Sequence, residues 1–292
     1  MNRPVLTAGR VAVVTGAAMG IGLAACRRFA ALGMRVCMAD VLTDELESAR
    51  NEVARVAPGG DRDILAVPTD VASLDNVQSL KDAVYPAFGE VGLLMNNAAT
   101  RVGGGAMGRL EDWQQALGVN FWGVVHGVSA FVPRMIEQGE PCLVINTGSK
   151  QGITNPLGNL AYNVTKAALK TYTEGLQHEL RNTKRCRVSA HLLVPGWTTT
   201  GKREHKPGAW LPDQVIDVFL AALDRGDFYI ICPDDEVSTD GPNAHSLVGG
   251  RHHREPPPAV AMASRPRQGI RGVFRVARRA RDRIPAEHMS GP

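Results

Sequence analysis

The chain has 292 residues, 44% of them hydrophobic and 21% charged, an ordinary balance for a globular protein with one large core or two small ones. The net charge of +4 divides unevenly: residues 251–292 hold ten arginines, no lysine and three acids, a net +7, which leaves residues 1–250 at −3. No apolar run approaches the roughly 20 residues of a membrane helix, the first residues do not read as a signal peptide, and five scattered cysteines form no C-x-x-C or Cys/His cluster. That cysteine pattern argues against a structural zinc site or a disulfide framework and fits a reducing cytoplasm.

Short apolar or β-branched runs alternate with longer helical patterns. The predicted strands are Val11–Thr15, Arg35–Ala39, Ile64–Val67, Leu93–Met95, Leu143–Asn146, Val188–Leu193 and Phe228–Ile231. Between them lie helical segments such as Ile21–Leu32, Asp44–Val56, Leu74–Ala87, Leu110–Glu137 and Leu160–Arg181. Such alternation predicts a Rossmann-type α/β fold: a doubly wound parallel sheet of about seven strands with helices on both faces. The expected domain spans residues 1–235.

The periodicity stops near Pro233. Residues 236–292 carry Pro256-Pro257-Pro258, Arg251-His252-His253-Arg254 and the Arg-rich run Arg271–Arg283, so they read as a weakly structured tail. Three origins compete: a disordered extension, a frameshift product of GC-rich DNA, and an Arg-rich contact to nucleic acid or an anionic membrane. The last lacks interleaved aromatics, with Phe274 alone, which counts against nucleic-acid binding.

Strand 1 runs into Thr15-Gly16-Ala17-Ala18-Met19-Gly20-Ile21-Gly22, and a helix follows. Glycines allow a tight turn and let the backbone approach a pyrophosphate, while the helix N-terminus supplies N–H donors and a favourable dipole. Asp40 ends strand 2. A carboxylate there can accept both adenosine ribose hydroxyls and repels a 2′-phosphate. No arginine or lysine lies in the Gly16–Gly22 turn or directly after Asp40, so NAD(H) is favoured over NADP(H).

Tyr162 and Lys166 are four apart on a helix and share a face. The ammonium can lower the phenol's pKa, which makes tyrosine a usable acid or base. Ser149, at a neighbouring strand end, can reach the same reacting oxygen. Together with the glycine turn, this set indicates an oxidoreductase.

Taken in order, these residues resemble the short-chain dehydrogenase/reductase family in its common form. The matching pieces are Thr15–Gly22, Asp70-Val71, Asn96-Asn97-Ala98-Ala99, Asn120, Ser149, Tyr162 with Lys166, and Pro195-Gly196 followed by Thr198 and Thr200. The resemblance covers about residues 5–235. It implies that Tyr162 exchanges a proton with the substrate oxygen while hydride moves to or from the nicotinamide. Ser149 would bond that oxygen, Lys166 would hold the nicotinamide ribose, and Asn120 would hold a relay water. Asp70, with Val71 beside it, would meet adenine, and Asn96 and Ala98 would line the cofactor cleft. Thr198 and Thr200 would meet the carboxamide and phosphates. Ala98-Ala99 stands where Ala-Gly is common, and Thr198 where an aliphatic residue is common.

Candidate substrate residues are Gln151, Asn155 and Trp197, which suggest a secondary alcohol or ketone and show no obvious anion clamp. Lys202, Arg203, His205 and Lys206 form a short basic loop. The long helices Leu110–Glu137 and Leu160–Arg181 resemble those of subunit contacts in the family, implying a homodimer or homotetramer. The competing reading is a nucleotide-sensing protein of the same fold without turnover.

Overall fold

The computed structural model describes residues 4–201 and 204–233. The expectations for residues 236–292, and for Lys202 and Arg203, lie outside the described residues.

Seven parallel strands form one sheet: β1 (Val11–Thr15), β2 (Arg35–Asp40), β3 (Ile64–Pro68), β4 (Leu93–Asn96), β5 (Cys142–Thr147), β6 (Val188–Val194) and β7 (Tyr229–Ile231). Their order is β3-β2-β1-β4-β5-β6-β7. Strand order reverses direction between β1 and β4, which opens a crevice beyond the carboxyl ends of the strands at that point. The strands read as unbroken apolar runs because both faces are covered; all five residues of β1 are buried.

The helices are α1 (Gly20–Ala31), α2 (Thr43–Ala54), α3 (Leu74–Phe88), α4 (Leu110–Leu117), α5 (Gly123–Glu137), α6 (Gln151–Thr154), α7 (Leu160–Asn182) and α8 (Pro212–Arg225). On one face α1, α2 and α8 close over Met34, Met38 and Ile145. There Phe29 meets Phe219 edge-on with ring centroids 6.2 Å apart. On the other face α3, α5 and α7 bury Leu80, Val84, Phe131, Met135 and Leu169.

The helix expected over Leu110–Glu137 is interrupted. A π-helical turn over Gly118–Trp122 separates α4 from α5. Such turns widen the hydrogen-bond ladder by one residue and re-aim a side chain, here the fully buried Asn120. By length and apolar content this stretch could cross a bilayer, and half of its most apolar window is buried inside the fold.

A polar ladder crosses the interior beneath α5 and α7. Asn96 Nδ2 donates to Asn146 Oδ1 at 2.9 Å, and Asn146 Nδ2 donates to Thr173 Oγ1 at 3.0 Å. Thr173 Oγ1 donates in turn to the Leu169 carbonyl at 2.7 Å. Asn96 Oδ1 is buried without a hydrogen-bond partner and faces Gly127 of α5. A β-carbon at Gly127 would stand 2.2 Å from that oxygen, so only glycine lets α5 seat here.

Gly127→Ala should therefore force α5 off β4 or Asn96 out of its ladder. Overpacking of this kind costs about 1–3 kcal/mol and should lower the melting temperature by several degrees. An unchanged melting temperature would show that α5 has slack at this crossing.

Candidate active site

The glycine turn closes against the end of β4. Gly16 (φ +65) and Gly20 (φ +60) adopt the left-handed region that favours glycine. A β-carbon at Gly16 would lie 2.7 Å from Ala98 Cα, and one at Gly22 would lie 2.1 Å from the Gly16 carbonyl oxygen. The turn is thus too tight for any side chain at either position. No side chain caps α1, and its first turn holds no acid, so the N–H groups of Gly20, Ile21 and Gly22 suit an anion. Asp40 flanks the same turn: Oδ2 accepts from Ala18 N at 3.0 Å and Oδ1 from Leu42 N at 3.1 Å. Each oxygen keeps a further lone pair. This donor and acceptor set fits a dinucleotide, with the pyrophosphate at α1 and a ribose at Asp40.

A residue absent from the expected site ties this turn to the rest. Asn97 Nδ2 donates to the carbonyls of Thr15 (3.1 Å) and Gly16 (3.2 Å), while its Oδ1 accepts from Thr147 Oγ1 at 3.3 Å. Thr15 Oγ1 accepts from the backbone N–H groups of Asn97 (2.9 Å) and Ala98 (3.1 Å). Asn96, expected to line the cofactor cleft, instead points into the core ladder. Successive strand residues face opposite sides, so of this doublet it is Asn97 that meets the turn.

Lys166 is buried, and its Nζ donates to the Thr147 carbonyl at 2.7 Å. It lies 5.7 Å from the centroid of the Tyr162 ring. Burial, and to a lesser extent the charge of Arg101, lower the lysine's pKa to about 7. The tyrosine departs from the expectation that its lysine would lower it. Burial raises the Tyr162 pKa, and a hydrogen bond from Ser149 and the charge of Arg101 oppose that rise without cancelling it. Lys166 does not offset that rise, because burial lowers its own pKa toward neutrality and so weakens its hold on the charge. Arg101 went unnoticed in the sequence, where its one signal is being the first charged residue after β4.

Asn120 acts as a clamp. Its Oδ1 accepts from Thr100 N at 2.7 Å, and its Nδ2 donates to the Thr100 carbonyl at 3.0 Å and Thr165 Oγ1 at 3.2 Å. Both Nδ2 hydrogens are thus spent, and a relay water could only donate to this residue.

The remaining expected residues are spread along the same rim. Asp70 is exposed at the end of β3 and caps its own turn through Ala72 N at 2.9 Å. The Val71 carbonyl accepts from His126 Nδ1 at 2.9 Å. After β6, the Pro195 carbonyl accepts from Lys150 N at 3.1 Å, and buried Thr198 donates to the Gly196 carbonyl at 3.3 Å. Thr200 sits over the turn, 3.1 Å from where a Gly20 β-carbon would be. Gln151 N donates to Ser149 Oγ at 3.2 Å. Asn155 (φ 47) accepts from Asn163 Nδ2 at 3.0 Å, so it steadies α7. Trp197 is 40% exposed at the rim. Among the described residues no cluster of three or more His, Cys, Asp or Glu side chains suits a metal.

Residues 10–208 match the short chain dehydrogenase family, and the chain belongs to it. A 1-deoxy-11-beta-hydroxypentalenate dehydrogenase of Streptomyces exfoliatus is 36% identical over 197 residues, 65% of this chain and 68% of that protein. A short-chain dehydrogenase/reductase of Burkholderia phymatum, solved with NAD, superposes with a TM-score of 0.71 at 33% identity, covering 76% of this chain and 88% of that one. A metagenomic short-chain oxidoreductase solved with NADP superposes with a TM-score of 0.63 at 28% identity, covering 75% and 91%. The fold and turn are thus those of an oxidoreductase family that uses a nicotinamide dinucleotide.

The buried lysine has a measurable signature. Its ordinary pKa is 10.5 and its folded value about 7, so between those limits the unfolded chain binds the extra proton. The site therefore contributes stability that rises with pH from about 7 toward 10.5. Compared with Lys166→Met, the wild-type protein should gain stability across that window in denaturant titrations. Parallel pH profiles of the two proteins would contradict a desolvated lysine.

Proposed function

We propose that the protein is an NAD(H)-dependent oxidoreductase that interconverts a secondary alcohol and a ketone, with Tyr162 as the general acid/base. The observation that carries this reading is the placement of Tyr162 beside Ser149 and 5.7 Å, ring centroid to ammonium, from the buried Lys166. The Streptomyces exfoliatus relative, a dehydrogenase of a hydroxylated compound, agrees with it.

A bound nicotinamide dinucleotide supplies the hydride acceptor or donor. Tyr162 gives its phenolic proton to the carbonyl oxygen in reduction, or takes the alcohol proton in oxidation. Ser149 donates to the same oxygen and stabilises the charge that develops there. Lys166 spends one donor on Thr147 and keeps others for the ribose hydroxyls of the cofactor. Its proximity to neutral pH as an acid also suits it to refill the tyrosine's proton. Asn120 holds the Thr100 backbone against Thr165 and so fixes the loop beside the reacting groups. Asp40 favours NAD(H), because its carboxylate repels a 2′-phosphate and no cation lies beside it in the turn. A nucleotide sensor without turnover would leave Ser149, Tyr162 and Lys166 without a shared task.

Tyr162→Phe should lower kcat by about 10²–10⁴-fold, the usual span for a general acid/base, and leave NADH affinity unchanged by calorimetry. Near-wild-type turnover from that variant would end the mechanism proposed. In thermal-shift titrations NADH should raise the melting temperature at lower concentration than NADPH. The reverse order would overturn the role of Asp40.

A further inference from the structure

We propose that Arg101 anchors a carboxylate of the substrate, so that the alcohol or ketone accepted here is an organic anion. This inference deepens the oxidoreductase reading and rests on it for the reacting half of the substrate.

Arg101 is exposed in the loop between β4 and α4. That loop is pinned to the reacting elements on both sides of the arginine. Thr100, directly before it, is held through both backbone groups by Asn120. Three residues after it, the Gly104 carbonyl accepts from Ala161 N at 2.9 Å, the residue before Tyr162. The backbone at 101 therefore cannot swing away from the mouth of the crevice. The guanidinium's charge reaches both Tyr162 and Lys166, in keeping with the backbone contacts that hold its loop beside them.

The arginine is also electrostatically unanswered. Among the described residues it makes no ion pair or hydrogen bond, whereas Arg27 and Arg134 lie against carboxylates. The loops beyond β4, β5 and β6 (residues 97–109, 148–159 and 195–211) contain six lysines and arginines and one acid, Glu204. Among the described residues no carboxylate pairs with Arg101, so its charge is left for a ligand. A guanidinium presents a planar fork that takes a carboxylate through two parallel hydrogen bonds.

The test uses the full-length protein with saturating NADH and two probes, 4-hydroxycyclohexanecarboxylate and its neutral carboxamide, with affinities measured by calorimetry. The wild-type protein should bind the carboxylate about ten- to hundredfold more tightly, the range for a charge-assisted pair. R101A should bring the ratio of the two affinities close to one. R101K should restore part of it, since lysine keeps the charge and loses the fork. A carboxylate preference that survives in R101A overturns the inference, as does equal or absent binding of both probes by the wild-type protein. NAD⁺ reduction is followed in parallel. An Arg101-dependent preference without turnover of either probe upholds the anion site and counts against the oxidoreductase reading. Turnover of both probes without preference does the opposite.

Discussion

The side chain of Asn97 is the point on which the crevice depends. It bonds the carbonyls of Thr15 and Gly16 on one side and the hydroxyl of Thr147 on the other. The Thr147 carbonyl then receives the ammonium of Lys166. One hydrogen-bonded path therefore runs from the glycine turn at β1, across the end of β4, to β5 and the first turns of α7. Elements that are far apart in sequence share a single geometry through it. The cost of leaving any of these buried groups unpaired, about 1–3 kcal/mol each, holds the path together.

The buried lysine is the second constraint. An ammonium out of water is costly unless bonded, and here the pKa falls to about 7. Helix α6 contributes directly: a β-carbon at Gly152 would lie 2.6 Å from the backbone carbon of Lys166. Glycine at that position lets α6 lie flat on α7 and cover the lysine's own turn. The same short helix begins just after Ser149, whose Oγ accepts from Gln151 N. Positioning of the serine and desolvation of the lysine thus have a common cause.

Much of the architecture was legible because the relevant signals are local. The apolar runs of β1 to β7, the glycine turn between β1 and α1, and the four-residue spacing of Tyr162 and Lys166 each specify a structure over a few residues. What the sequence hid were effects of tertiary context. Asn96 and Asn97 look alike on paper, and a strand buried on both faces shows no alternation to reveal which one faces the crevice. The π-turn at Asn120 leaves the helical periodicity of residues 110–137 nearly intact, so that stretch read as one helix. Arg101 sits in a loop whose path is set by Asn120 and Ala161, residues 19 and 60 positions downstream. The expected fall in the tyrosine's pKa failed for a related reason, since burial of the lysine is invisible in a Y-x-x-x-K spacing.

Asp40 illustrates how tightly recognition and framework are joined. Its two oxygens fasten Ala18 in the glycine turn and Leu42 at the start of α2. An engineer wishing to retune cofactor preference would ordinarily exchange this acid for a small or basic residue. Here that exchange also releases two backbone donors and loosens the glycine turn. An amide that keeps the acceptor, paired with a new cation at Val41, is the substitution pattern the geometry permits. Asp40 is thus part of the scaffold itself, and any exchange there alters the rigidity of the turn as well as its charge.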